Sequence, residues 1–345
     1  MKAIRYRTIV AATASTLMLV VVGCGAPPST AHTTHVTKAI PVTIAWQPSA
    51  DVAVLVAQKE GLFKKYGLDV TLKKFITGPA MFAAAKGGSV DIIGTATTAF
   101  LGAVSSGVPV LGIAIGNDDA PNNTLVVQPS SGISSVAQLK GHSVAAPLGT
   151  AVYFALAKAL AANGLSMTSI TYKNLSPATI IPAFEAKSID ATWIWTPWSE
   201  ILRSKGGKAV VDSAEIGIHS PDIWGATTAW LGEYPQGAER FAAAVNAATV
   251  EMLQKPELIY AALQANFGVS LTVAREIANT DKYPTAKELV NPSYYASISD
   301  WPSATQGLGA ILTSTGKLLV KEGIISKMPP LAAVFTATPV KQVAG

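Results

Sequence analysis

Apolar runs of strand length alternate with runs of helical length along much of this chain, and no other feature constrains its fold as strongly. The first series has strand-like and helix-like runs in turn at residues 42–46, 51–59, 68–75, 80–86 and 90–93. The second series continues in the same manner at residues 124–127, 142–146, 150–162, 169–174, 178–185 and 191–195. Beyond Trp230 the runs are helical, at residues 237–253, 256–266, 271–279 and 304–322. Alternation of this kind predicts βαβ units and an α/β fold class.

The N-terminus has the form of an export signal. Three basic residues occur among the first seven, and an uncharged, largely apolar run follows from residue 8 to 22. This run is too short to span a bilayer comfortably, and it ends at Gly23-Cys24 in the order of a bacterial lipobox. We therefore predict a lipoprotein signal peptide over residues 1–23 and lipidation of Cys24, because a thiol can carry a diacylglycerol that holds the chain at a membrane surface.

The single cysteine, Cys24, limits how the exported protein can be stabilised. Since the chain has no second cysteine, an intramolecular disulfide is excluded and stability must come from core packing. Residues 24–40 are predicted to be the lipidated cysteine and a flexible tether, because they are small, polar and rich in proline. His32 and His35 lie in this tether, but two histidines are too few for a metal site. We predict no bound metal and no cofactor.

The charge balance argues against nucleic-acid binding. The chain has 26 basic and 21 acidic residues, a formal net charge of +5, and loss of the three basic residues of the leader leaves +2. Hydrophobic residues make up 49% of the chain, so the part after the leader can bury a large core and is long enough for two domains. No later apolar run reaches transmembrane length. Contact with the membrane is therefore predicted through the lipid anchor alone.

The sequence lacks the motifs of common catalytic sites. It contains no GxSxG, HExxH, P-loop or CxxC motif, and only His142 and His219 lie outside the tether. The sequence therefore predicts a binding protein and not an enzyme.

Small polar turns follow three of the predicted strands and lead into helices. They occupy residues 76–79, 94–98 and 147–150. Backbone N–H groups and hydroxyls at such helix starts suit an anion, and ligands of open α/β sheets bind at these strand ends. The alternative is ordinary helix capping by threonine, and the residues alone leave both possibilities open.

Aromatic and acidic residues also lie near predicted strand ends. Trp195 and, after it, Trp193 and Trp230 are candidates for ligand contact. The alternative is a place in the core, where large aromatic residues usually lie. Asp51 and Asp222 are candidates for pairing with an ammonium group. A helix cap for Asp51 and a turn position for Asp222 are the alternatives.

Several segments resemble one family of proteins. These segments are residues 42–51 (VTIAWQPSAD), 61–63 (GLF), 91–94 (DIIG), 139–147 (LKGHSVAAP), 174–184 (NLSPATIIPAF) and 189–197 (IDATWIWTP). Over about residues 42–325 the chain is similar to the periplasmic solute-binding proteins of nitrate, sulfonate and taurine import systems. It looks closest to the taurine-binding branch.

The resemblance implies a type II periplasmic-binding-protein fold, in which two α/β lobes joined by two hinge crossings close on a ligand. Lobe one would be discontinuous and would comprise residues 41–125 and 228–345. Lobe two would comprise residues 126–227. The crossings would lie near residues 124–128 and 222–230.

The resemblance also implies a function: a monomer that captures an organosulfonate such as taurine and delivers it to a permease with cytoplasmic ATPases. The lipobox adds that this monomer is an exported, membrane-anchored lipoprotein, on the periplasmic side or the outer face of the cytoplasmic membrane. The candidate ligand residues, which include the two acids named above, are Gln47, Asp51, Thr97, Thr98, Gly149, Thr150, Tyr153, Trp195 and Asp222. The acid that holds the amine in the taurine branch corresponds to Ala226, a few residues from Asp222. An amine, an alkyl chain or another organosulfonate therefore remains open for the far end of the ligand.

Other roles on the same fold stay open at this stage. The ligand could be nitrate, an alkanesulfonate or a thiamine-precursor pyrimidine, and the protein could signal to a partner instead of feeding a transporter. Pyrimidine synthases of thiamine metabolism share the fold, but they use a histidine and a cysteine-rich segment. This chain has no cysteine beyond Cys24.

Overall fold

A computed structural model describes residues 38–48 and 52–345 of the chain. The predicted signal peptide, Cys24, most of the predicted tether and Asp51 lie outside the described residues. Ile40, the last residue of that tether, is the buried first residue of a strand. Among the described residues, no helix combines the length and the apolar character needed to cross a bilayer.

The strands are short and mostly buried, as expected for sheets covered by helices. They are β1 (Ile40–Trp46), β2 (Leu68–Lys74), β3 (Ile92–Ala96), β4 (Val110–Ile115), β5 (Asn123–Val127), β6 (Ser143–Ala145), β7 (Thr171–Lys173), β8 (Ala191–Trp195), β9 (Lys208–Asp212) and β10 (Asp222–Thr227).

The helices connect the strands and then form a C-terminal group. They are α1 (Val52–Lys59), α2 (Leu62–Lys65), α3 (Gly78–Lys86), α4 (Thr97–Ser105), α5 (Ala151–Ala162), α6 (Pro177–Glu185), α7 (Trp198–Ser204), α8 (Thr228–Glu233), α9 (Gly237–Gln254), α10 (Glu257–Phe267), α11 (Leu271–Thr280), α12 (Ala286–Leu289), α13 (Gly307–Lys321) and α14 (Thr338–Ala344).

The described strands form two five-stranded sheets, with orders β2-β1-β3-β10-β4 and β7-β6-β8-β5-β9. In the first sheet β1 runs parallel to β2 and β3, and β10 runs antiparallel to β3 and β4. In the second sheet β6 runs parallel to β7 and β8, and β5 runs antiparallel to β8 and β9. The mixed α/β architecture with two sheets confirms the predicted fold class.

The chain passes from the first sheet to the second between β4 and β5 and returns between β9 and β10. The predicted lobe division puts residues 222–227 in lobe two, whereas β10 pairs within the first sheet. Its backbone groups are satisfied there by β3 on one side and β4 on the other. The return crossing thus precedes β10, and the exact lobe boundaries stay a prediction.

Two hydrophobic cores correspond to the two sheets. The first core includes Phe100 and Trp224 near the sheet and Phe241 from the C-terminal helices. The second core includes Leu156 and Trp193. The helices that follow β10 therefore contribute to the core of the first sheet. The ends of β1, β3, β6 and β8 remain available to form a site.

Candidate functional site

A pocket lies where strands of both sheets end. The cavity itself is small, with a volume of about 20 Å³. The lining residues are Gln47, Gly78, Thr95, Ala96, Ala99, Asp119, Asn123, Thr150, Ala151, Trp195 and Asp222. Gln47 follows β1, Thr95 and Ala96 end β3, and Trp195 ends β8. The pocket thus occupies the position in which α/β sheets usually bind ligands.

Three helix N-termini meet at this pocket. Gly78 begins α3, Ala96 directly precedes α4, and Ala151 begins α5. The first N–H groups of a helix have no partner within the helix, and the helix dipole adds partial positive charge there. Within the described residues, no side chain caps α3 or α4. This end of the pocket is therefore suited to an anion.

Glycine lets α3 approach the pocket closely. A Cβ atom at Gly78 would lie 2.4 Å from Thr95 Oγ1 and 2.8 Å from the Cβ of Ala99. Both distances are far shorter than van der Waals contact, so a larger residue would push the start of α3 away from β3. The helix start and the strand end can share one pocket because residue 78 has no side chain.

Thr150 holds the start of α5. Its Oγ1 donates a hydrogen bond to the carbonyl oxygen of Pro147 at 2.6 Å and accepts one from the N–H of Tyr153 at 3.5 Å. Thr150 therefore acts as a helix cap and lines the pocket as well. The capping role is present in the structure, and the ligand role stays a prediction.

Two carboxyl groups line the pocket beside these helix starts. Asp222 begins β10 opposite Ala96 of β3, and Asp119 lies on the crossing between β4 and β5. Asn123 Nδ2 donates a hydrogen bond to Asp119 Oδ1 at 2.9 Å. Burial, together with the negative charge of Asp118, raises the pKa of Asp119 to about 7, although the Asn123 bond opposes this rise. Among the described residues that line the pocket, none is basic.

Trp195 connects the two sheets at the pocket. Its indole Nε1 donates a hydrogen bond to the carbonyl oxygen of Pro48 at 3.1 Å, which joins the end of β8 to the segment after β1. Its ring lines the pocket, in contrast to Trp193. The indole of Trp193 is fully buried and donates to the carbonyl oxygen of Asn123, so Trp193 belongs to the core.

Three further candidates, Thr97, Tyr153 and Trp230, do not line the pocket. Thr97 is fully buried, and its Oγ1 is 2.8 Å from Ser220 Oγ. Tyr153 packs edge-on against Tyr172 in the second core, and burial raises its pKa. Trp230 donates from Nε1 to the carbonyl oxygen of Pro41, away from the pocket.

Thr98 and Gly149 line a second, larger groove. This groove has a volume of about 390 Å³ and a mostly apolar lining that includes Phe82, Leu148 and Ile324. Ala99 lines both the groove and the pocket. The two spaces are therefore neighbours across α4.

Sequence reasoning missed Asp119 and Asn123, whereas Thr95 lies in the predicted turn at residues 94–98. The apolar run of β4 is not among the predicted strands, so the polar loop that follows it is not recognised as a strand end. The signal was present, because residues 116–119 read Gly-Asn-Asp-Asp directly after an apolar run that ends at Ile115. The rule that ligands bind after strand ends would have found Asp119.

Comparison with known proteins decides the family. The family model described as "NMT1/THI5 like" matches residues 50–259, which is more than half of the chain. This chain belongs to the NMT1/THI5-like family. The matched region includes the pocket residues from Gly78 to Asp222.

Curated relatives and solved structures agree with this membership. The taurine-binding periplasmic protein of Escherichia coli is 29% identical over 229 residues, which are 64% of this chain and 69% of that protein. A putative aliphatic sulfonates-binding protein of Bacillus subtilis is 28% identical over 238 residues, covering 68% and 71%. The alkanesulfonate-binding protein of Xanthomonas axonopodis pv. citri, solved with bound MOPS, superposes with a TM-score of 0.72 at 22% identity, covering 87% and 99%. The structural match confirms the periplasmic-binding-protein fold.

Proposed function

We propose that this member of the NMT1/THI5-like family is the solute-binding protein of an ABC importer and that it captures a small zwitterionic sulfonate, with taurine as the model ligand. One observation carries the proposal: three helix N-termini and two carboxyl groups line the same pocket between the sheets. The names of the taurine-binding and sulfonate-binding relatives support this solute class.

The helix starts provide the anion end of the proposed site. A favourable, partly buried position at a helix N-terminus stabilises a negative charge by about 0.3–2 kcal/mol. The starts of α3, α4 and α5 would add their N–H donors around one sulfonate. An oxyanion can thus be held without a basic side chain.

The two acids provide the cation end. A simple anion in this pocket would face Asp119 and Asp222, and two like charges about 4 Å apart repel by about 4 kcal/mol at an effective dielectric constant near 20. A ligand with an ammonium group turns the same interaction into an attraction. Asp222 would then take the role of the acid that the taurine branch has at the position of Ala226.

The apolar groove beside the pocket favours a second candidate ligand. Its lining by Phe82, Leu148 and Ile324 suits an alkyl chain, and it adjoins the pocket at Ala99. A longer alkanesulfonate could place its sulfonate at the helix starts and its chain in the groove. This ligand brings no cation to the carboxyl groups of the pocket, so we rank it second.

Calorimetry with matched ligands tests the proposal. At pH 8 we expect taurine to bind with 1:1 stoichiometry and at least about tenfold more tightly than ethanesulfonate or ethylamine, since each of these lacks one charged group (about 1.4 kcal/mol per factor of ten). Octanesulfonate tests the second candidate. Tighter binding of octanesulfonate or ethanesulfonate than of taurine would contradict the zwitterion, and no heat with any sulfonate would contradict the function itself. Conversion of bound ligand would point to an enzyme on this fold.

Export and anchoring form the second part of the proposal. The relatives named periplasmic support export, and the Gly23-Cys24 sequence supports lipidation. An anchored, two-lobed protein with a flexible tether would stay close to its permease while its lobes close on the solute. If the protein served a signalling partner instead of a transporter, its gene would lie beside a receptor kinase gene and not beside permease and ATPase genes.

Fatty-acid labelling of cells tests the anchor. We expect the parent to incorporate a labelled fatty acid and to sediment with membranes, because a diacylglycerol and its methylenes, each about 0.8 kcal/mol, hold the chain there. Cys24→Ser should abolish the label and release the protein while ligand affinity stays unchanged. Membrane association that persists in Cys24→Ser would contradict the lipid anchor.

A further inference from the structure

A buried group of acids surrounds one side of the ligand pocket. Asp119 is 7% exposed, lines the pocket and accepts a hydrogen bond from Asn123. From this arrangement we infer that Asp119 exchanges its proton for the cationic group of the ligand, so that capture of the solute is coupled to proton release. The inference rests on the proposed function and names a residue that decides which ligands the pocket accepts.

The first neighbour of Asp119 is Asp118, whose carboxyl group is surrounded by donors. Tyr295 Oη donates to Asp118 Oδ2 at 2.9 Å, and His219 Nδ1 lies 2.8 Å from the same oxygen. The backbone N–H of Ala120 donates to Asp118 Oδ1 at 3.1 Å. The bond to Asp118 raises the pKa of His219. The imidazole of His219, which can carry a positive charge, is thus hydrogen-bonded to Asp118 and not to Asp119.

The segment after α11 brings another acid. Asp281 is buried and bonds the amide of Asn122, and Tyr283 Oη donates to it at 3.2 Å. Burial and the charge of Asp119 raise the pKa of Asp281 well above its usual range. Lys282 reaches Asp118 only through backbone hydrogen bonds. The raised pKa favours the neutral form of Asp281, so this carboxyl group gives way to the Asp119 carboxylate and brings no cation to it.

Other charged groups lie beside the crossing loop and near His219. Asp222 lines the pocket next to this loop, where its N–H donates to the carbonyl oxygen of Asn117, and the positive charge of Lys158 acts on His219. Several carboxyl groups in one low-dielectric region cannot all be ionised without a cation. At neutral pH Asp119 is consequently close to half protonated, since its pKa is raised to about 7 by burial and by Asp118.

The ligand determines the direction of the proton exchange. An ammonium group beside Asp119 stabilises the carboxylate, so the carboxyl O–H bond breaks on binding and the proton passes to the solvent. Affinity for such a ligand rises as the pH rises through about 7 and levels off above it. A ligand with only an anionic group needs Asp119 protonated, so its affinity falls over the same range.

The test is calorimetry with taurine from pH 5.5 to 8. The amine of taurine is protonated and its sulfonate ionised throughout this range. For one proton with a pKa of about 7 in the free protein, affinity should increase roughly 30-fold. Titrations at pH 6.5 in two buffers of different ionisation enthalpy should show release of about 0.8 of a proton per taurine, because a group with a pKa of about 7 is protonated to that extent at this pH. Asp119→Asn keeps the acceptor for Asn123, and we expect it to bind more weakly at pH 8, with a flat pH profile and no proton release.

A matched control is Asp212→Asn. Burial also raises the pKa of Asp212, but this residue lies in β9 outside the pocket lining. The variant should keep the pH profile of the parent.

A readout without ligand checks that Asp119 titrates in the folded protein. Because its folded pKa lies above its ordinary value of 3.8, it contributes stability that is fully present below 3.8 and is lost as the pH rises through about 7. The fall in melting temperature of the free protein between pH 5.5 and 8 should be smaller in Asp119→Asn than in the parent.

The outcomes separate this inference from the proposed function. Taurine binding with a flat pH profile and no proton release would overturn the inference and leave the function intact. An affinity for taurine that falls with rising pH would also overturn it. Absence of taurine binding at every pH would overturn the zwitterion function itself.

Discussion

Ala151→Asp is expected to abolish capture of the solute while the protein stays folded. Ala151 is the first residue of α5 and lines the pocket. A carboxylate there takes the place at the helix start that we propose for the anionic group of the ligand. At about 4 Å and an effective dielectric constant near 20, the repulsion is about 4 kcal/mol, so affinity for taurine should fall at least about 100-fold.

The same substitution should leave the protein folded. An acid in the first turn of a helix interacts favourably with the helix dipole by about 0.3–1 kcal/mol, but Asp119 and Asp222 line the same pocket and repel a third carboxylate. The melting temperature of Ala151→Asp should therefore be lower than that of the parent at pH 8. Loss of affinity measured well below the melting temperature distinguishes an anion site from a general defect.

A matched control lies in the same half of the molecule. Ala178→Asp puts the same acid in the first turn of α6, at an exposed position outside the pocket. It should leave the affinity for taurine unchanged. Parent-like affinity in Ala151→Asp would rule out an anion at the start of α5.

Hydrophobic patterns predicted most of the elements because they report burial directly. The run at residues 191–195 coincides with β8, and the run at 237–253 differs from α9 by one residue. The predicted runs do not cover the strands β4, β9 and β10 or the short helices α2, α7, α8, α12 and α14, and they cover α4 only through the turn that leads into it. In β10 the apolar pattern is interrupted by Asp222 and Gly225, and its place between β3 and β4 depends on long-range pairing that local pattern does not contain.

The pocket was predictable where local sequence determines it. Thr150 and Trp195 follow β6 and end β8, and the strand-end rule identified both. The same rule also selected Thr97, but the side chain of Thr97 points toward Ser220 instead of the pocket. It missed Asp119, whose place in the pocket depends on how the crossing loop packs against segments far along the chain, such as the one at Asp281.

Gly225→Ala is expected to destabilise the protein more than any other change discussed. Gly225 lies in β10, in the middle of the first sheet. A Cβ atom there would lie 2.2 Å from Phe100 Cε2 and 2.8 Å from Cζ. Phe100 is fully buried, so its ring has no free space to enter. Overpacking of this kind costs about 3 kcal/mol, and the melting temperature should fall by roughly 6 °C or more.

A glycine without close neighbours serves as the control. Gly232 lies in α8 and is exposed, and a methyl group on its Cα would meet no other atom within 4 Å. Gly232→Ala should raise stability by about 0.5–1 kcal/mol, because glycine is unfavourable within a helix. A loss of stability in Gly225→Ala together with a gain in Gly232→Ala would exclude a general effect of replacing glycine by alanine.

The double variant Phe100→Leu with Gly225→Ala identifies the cause. Phe100→Leu alone removes ring atoms from the core and should destabilise. When Gly225→Ala is also present, the same removal relieves the overlap, so the two changes together should cost less than their sum by about 1 kcal/mol or more. Additive effects would mean that the strand moves to accept the methyl group. Since β10 also carries Asp222, such a movement would be felt in the affinity for taurine, which should then fall in Gly225→Ala even at temperatures where the protein stays folded.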